Sequence, residues 1–274
     1  MNGTKRMVAI VATAFASSFL MGDGALSDEE TKRKIADFVT LPSRLCGRAL
    51  VDFRSELRGR KLTNRSWFDG DTNRLARLIM ELAQTNDMKV ASMMIGALGE
   101  YGTCAQLPFL YSCATNPILG KIAVEAVLRI EGVTSNSLEI VHGYLFQTNQ
   151  FLFANIGDRT YLCHDLVSKV FSDSSLNSYR SQVLEMALDF EANVNITPNL
   201  VDMAIVSADP GYRHSKRRLA VLRAAKQRLD YDAQLIVPSN YEVERRIDVY
   251  NFQTNYLVNA INELVAYPEA NLPD

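Results

Sequence analysis

The chain's three histidines and four cysteines are where metal or nucleophile chemistry would have to begin. Cys163-His164-Asp165 sets a nucleophile, a base and an acid side by side. Consecutive residues of a helix point in different directions, whereas a catalytic set must converge in space. Cys163 also falls on an apolar seam and reads as core. His142 follows Val141 on a helix face and reads as a packed or half-exposed side chain, and His214 sits inside a basic run. No two histidines have ligand spacing, and the cysteines at 46, 104, 113 and 163 contain no C-x-x-C, so zinc and redox dithiols find no support. Asp69-Gly70-Asp71-Thr72-Asn73 opens like a calcium loop, whose alternate oxygens converge on one cation. That loop would continue with glycine at 74 and glutamate at 80, where this chain has Arg74 and Met80. Asp71 or Thr72 reads instead as the cap of a helix starting near Asn73. The chain has no H-E-x-x-H, G-x-S-x-G, P-loop or G-x-G-x-x-G. No catalytic residue, metal ligand or cofactor is expected.

The strongest charge feature is RHSKRRLAVLRAAKQR, residues 213–228, with seven basic side chains and no acid. Leu219, Leu222, Ala225 and Leu229 form an apolar stripe, which leaves Lys216, Arg217, Arg223 and Lys226 off the core. With Arg213 these five make a candidate surface for an anionic partner. The competing reading is a solvated face paired with Asp230, Asp232, Glu242 and Glu244. Few aromatics interleave and the whole chain is at −2, so nucleic acid is a poor partner.

The first residues suggest an address. Lys5 and Arg6 precede an uncharged, mostly apolar stretch from Met7 to Gly22, followed by Gly24 and Ala25. This is the layout of a secretory signal peptide over 1–24, and the stretch is too short and too interrupted by Thr13, Ser17 and Ser18 for a transmembrane span. The alternative is an uncleaved amphipathic or buried helix. Without residues 1–24 the chain keeps 27 basic and 30 acidic residues, net −3, and no later run is long enough to span a bilayer, so no stable membrane insertion is expected. The expected product is exported, periplasmic or extracellular, and soluble. Export permits disulfides and, in a eukaryotic pathway, glycosylation at Asn64 or Asn195. Cys104 and Cys113 read as opposite ends of one short helix, about 13 Å apart and beyond disulfide reach. Cys46 or Cys163 could bridge elsewhere, but free thiols are the simpler expectation.

What remains reads as helix after helix. Ser27-Asp28-Glu29-Glu30 is a capping box, Pro42 starts a second helix, and 59–71 is a polar connector carrying Trp67. Gln84-Thr85-Asn86, Ala114-Thr115-Asn116 and Gln147-Thr148-Asn149 recur at offsets of 30 and 33. The first two copies lead into helices that stop at Gly102 and Gly132. Met93, Met94, Ala97, Leu98 and Tyr101 mark an apolar stripe, matched one repeat later by Ala123, Val124, Val127 and Leu128 and extended by Ile130. Leu75–Ala83 and Cys104–Ala114 read as the partner helices. Such a two-helix unit cannot bury its apolar face alone and stacks on its neighbour.

Residues 97–132, with Ala97-Leu98-Gly99, Tyr101-Gly102, Leu107-Pro108 and Asn116-Pro117, resemble HEAT repeats of the short bacterial kind. The resemblance spans two good repeats (72–132) and a degraded third (135–172). It implies an all-α solenoid of helical hairpins with a groove for a partner, and further helices at both ends. Beyond it the helical period continues: Leu162-Leu166-Val170 beside Cys163-Val167-Phe171, a break at 172–175, Pro198 opening a helix, a turn at Asp209-Pro210-Gly211, and a capping box at Ser239-Asn240-Tyr241-Glu242. The last helix runs to about Ala266, and only Leu235–Val237 alternates like a strand. Residues 25–274 therefore read as one helical domain, with 173–274 a divergent continuation of the repeats. The leading functional expectation is an exported scaffold that binds a protein or peptide through a groove, without chemistry. The alternatives are an enzyme on a helical-repeat scaffold, lyase- or glycosylase-like, and an envelope component docking residues 213–228 on an anionic polymer. Fold and activity are separable, so no catalytic residue carries over.

Overall fold

The computed structural model describes residues 27–30, 32–33, 72–147, 156–194, 198–234, 241–266 and 272–273, and every regular element among them is helical. The leader, Cys46, Trp67, residues 69–71, Thr148-Asn149, Asn195, Thr197, Leu235–Val237 and Ser239-Asn240 lie outside the described residues. The chain groups into two compact units, residues 1–106 and 107–274. The boundary falls three residues into the predicted helix Cys104–Ala114.

In the first unit the predicted capping box at Ser27 is formed. Its Oγ accepts the Glu30 N–H at 3.3 Å, and its own N–H donates to Glu30 Oε2 at 3.0 Å. Asp28 then pairs with Arg74 and Arg77, and Lys32 with Glu81, which ties this turn to the charged face of helix α1 (Thr72–Ala83). The other face of α1 buries Leu75, Leu78 and Ile79 completely, against Ala91, Met94, Ile95 and Leu98 of α2 (Met88–Tyr101). Each such side chain contributes about 1.5–3 kcal/mol of burial. Asp87, one residue past the recurring Thr-Asn, caps α2 by accepting the N–H groups of Lys89 and Val90.

The second unit repeats that device. Asn116 Oδ1 accepts the N–H groups of Ile118 and Leu119 at 2.9 and 3.1 Å, turning the chain from α3 (Leu107–Ala114) into α4 (Gly120–Ile130). Ala123, Val124 and Val127 are fully buried, while Leu128 and Ile130 are half-buried. Gly132 has φ +78°, a left-handed value suited to glycine. Thr134 and Ser137 cap α5 (Ser135–Leu145) reciprocally. The remaining helices are α6 (Ile156–Ser172), α7 (Arg180–Asn193), α8 (Pro198–Ala208), α9 (Lys216–Gln234) and α10 (Tyr241–Val265). Helices α3 and α4, α4 and α5, α6 and α7, and α9 and α10 pack as chain neighbours, whereas α6 packs on α8 and α7 on α9 two steps along. The predicted stripe of Leu219, Leu222, Ala225 and Leu229 is buried against Leu257, Ala260 and Leu264 of α10, and Leu272 closes the same core. The first turn of α9 finds its acceptors in Ser215 Oγ and the Pro273 carbonyl.

Candidate functional site

Helix α6 spends its apolar positions inward. Leu162, Cys163, Leu166, Val167 and Val170 are buried, which turns Tyr161, His164, Ser168 and Ser172 outward. Helix α8 meets it with small residues, Ala204, Ser207 and Ala208. Small side chains fill little of the space between the two helices, and an open groove of about 440 Å³ remains along them. Phe171 forms one end, held by Arg180, whose guanidinium carbon lies 5.3 Å from the ring centroid and whose Nη2 donates to the Phe171 carbonyl at 2.9 Å. Met203, on the opposite wall, is 56% exposed.

His164, Ser168, Ser172 and Ser207 are the polar side chains that line the groove. His164 Nδ1 lies 3.0 Å from Asp165 Oδ1, so the two neighbours do meet. Among the described residues no serine hydroxyl is hydrogen-bonded to His164. Cys163 points into the core. Burial first, then the charge of Glu191, pushes its thiol well above the usual range and keeps it protonated. Cys104, Cys113 and Cys163 are free thiols.

Behind the groove wall lies a feature the sequence reading missed. Asp202, on α8, has no exposed surface and accepts two guanidinium hydrogen bonds from Arg218 of α9, at 2.7 Å (Nη2 to Oδ2) and 3.1 Å (Nε to Oδ1). The Tyr256 hydroxyl of α10 donates to the same carboxylate at 2.5 Å, and Arg218 Nη1 donates to the Arg213 carbonyl at 2.9 Å. One acid thus joins three helices. Burial, then the Asp202 charge, drives the Tyr256 and Tyr212 hydroxyls far up. For Arg218, burial acts downward, but the bonded carboxylate outweighs it and the guanidinium ends above its ordinary value. Asp202 and Arg218 are buried and Tyr256 is half-buried, and their paired charges tie the three helices together. Its signal in the sequence was a lone acid in the apolar run Leu200-Val201-Asp202-Met203-Ala204-Ile205.

The five predicted anion-binding residues are distributed as follows. Arg213, Lys216, Arg217 and Arg223 are exposed, and Lys226 is half-buried. Arg217 pairs with Glu185 of α7, whose carboxyl this hydrogen bond draws below its ordinary value, and Lys226 Nζ lies 2.6 Å from Asp230 Oδ2. Asp232, Glu242 and Glu244 lie outside the described side chains. Among the described residues no helix is long and apolar enough to cross a membrane, and no cluster of His, Cys, Asp or Glu is placed to hold a metal ion. Compared with protein-family models, curated proteins and solved structures, the chain has no match.

Proposed function

We propose that this chain is an exported, HEAT-like helical-repeat scaffold that recognises a protein partner by docking one of its peptide segments in the groove between α6 and α8. The groove carries the reading. Its walls offer an exposed methionine and a phenylalanine ring edge, its floor is alanine, and Ser168 and Ser207 supply hydroxyls that orient a guest. A cleft lined by four apolar and four polar residues suits an apolar peptide side chain flanked by its own main chain. Packing between helices one or two steps apart in the chain supports the repeat reading. Export rests on the layout of residues 1–24 alone.

The test is a peptide library displayed on phage, selected against the full chain and counter-selected against Met203→Asp. Peptides carrying a recurrent large apolar residue are expected, with roughly tenfold or greater loss of affinity for the variant. If selection yields no peptide, or the selected peptides bind Met203→Asp as tightly, the groove is not the recognition surface.

A further inference from the structure

Two arginines hold helix ends in the same way. Arg159, in the first turn of α6, donates from Nη1 to the Gln147 carbonyl at 3.1 Å, just past the end of α5. Its guanidinium carbon lies 5.6 Å from the ring centroid of Tyr144. Arg180, the first residue of α7, donates to the Phe171 carbonyl at 2.9 Å and lies 5.3 Å from the centroid of that residue's own ring. Each ring belongs to the penultimate residue of its helix. Both cations therefore sit at the negative end of the preceding helix, a favourable position. Both Nε groups are buried without a hydrogen-bond partner among the described residues. A carbonyl alone would not call for this, since lysine or water caps a helix end without burying an unmatched N–H. What arginine adds is a flat cation that covers a ring.

The two rings have different surroundings. Tyr144 is buried, with its ring against Gly120. Phe171 is half-buried, and it lines the α6–α8 groove beside Ser172. Neither Arg159 nor Tyr144 lines that groove. A phenylalanine free to change rotamer would yield to a longer guest by turning aside. With its carbonyl bonded and its ring covered by Arg180, Phe171 is held as a fixed end wall.

We propose that Arg180 is a positioning residue for the groove: it holds the Phe171 ring in place, and the ring limits the length of the apolar side chain that a guest peptide can seat there. This rests on the reading of the groove as a peptide site and adds to it a rule of selection, exclusion of the largest side chains, tryptophan first.

The test is a random decapeptide library displayed on phage, selected in parallel against the full chain, Arg180→Gln and Arg159→Gln, and sequenced for the size of the recurrent apolar residue. The parent and Arg159→Gln are expected to enrich the same residues. Arg180→Gln keeps an N–H for the Phe171 carbonyl but no cation for the ring, and should enrich tryptophan about three- to tenfold over the parent, the range that loss of one cation–π contact supports. Arg180→Lys returns a cation and should restore the parent's preference. Phe171→Leu removes the wall itself and should show the same shift as Arg180→Gln, and it decides the matter if Arg180→Gln loses its helical circular dichroism. The proposal is overturned by an unchanged preference in Arg180→Gln, by an unchanged preference in Phe171→Leu, or by an equal shift in Arg159→Gln, which would make both arginines general stabilisers. In each of those outcomes peptides still bind and the groove reading stands. If none of these chains enriches a peptide, the groove reading fails and the selection rule fails with it.

Discussion

Asp202 carries its charge where no water reaches it, and its neighbours explain how. Two guanidinium bonds and one phenol bond replace the hydration it gave up, and Arg218 spends a further N–H on the Arg213 carbonyl. The pair need not add net stability, because desolvating two ions consumes most of their attraction. Breaking it is another matter. Asp202→Asn leaves the Arg218 guanidinium buried without its counter-charge, and we expect a loss of about 3–5 kcal/mol in urea denaturation. Asp202→Leu combined with Arg218→Met removes both charges with similar bulk and should recover most of that loss. A single variant within about 1 kcal/mol of the parent would mean that water reaches the cluster, contrary to its burial.

At the scale of elements, Gly120 marks a close approach of α4 to the end of α3 and to α5. A Cβ on Gly120 would lie 2.8 Å from the Ala114 carbonyl oxygen and 2.8 Å from Tyr144 Cδ2. Gly120→Ala therefore forces the start of α4 away from its seat, and a loss of about 1–3 kcal/mol is expected. Gly143, in the last turn of α5, has nothing within 4 Å of its would-be Cβ. Gly143→Ala should gain about 0.5–1 kcal/mol from helix propensity alone. If thermal melts rank the two variants the other way, the α4–α5 approach is looser than described. The contrast shows how far a sequence can be read. Gly102 and Gly132 were legible as helix stops because punctuation is local, and so were the cap at Ser27, the turn at Asp209 and the stripe from Leu219 to Leu229. Gly120 was not legible, since its reason is a ring on the next helix. Nor was the groove, which depends on which face of α8 meets α6. In the basic run, periodicity separated Leu219 from Arg217 but not Arg217 from Arg218, one facing Glu185 at the surface and the other Asp202 in the core.

Across the second unit three tyrosines, Tyr144 and Tyr212 buried and Tyr256 half-buried, link these local arrangements to pH. Burial first, with the charge of Asp158 adding to it, pushes the Tyr144 hydroxyl up to about 12, and Tyr212 and Tyr256 go higher. In the unfolded chain all three ionise near 10. Their neutral forms thus favour the fold, fully so below pH 10. As pH rises past 10 the unfolded chain loses these protons while the folded chain retains them, so stability falls toward the folded values. We expect unfolding between about pH 10 and 12, with the tyrosinate absorbance of these three appearing together with the loss of helical circular dichroism. Tyr144→Phe keeps the ring against Gly120 and Arg159 and removes one ionisation, so its alkaline midpoint should move up. Complete tyrosinate formation while the helical signal stays intact would show that these hydroxyls reach solvent without unfolding. The helices joined at Asp202 would then open locally, and the wall of the groove that α8 forms would be a moving part.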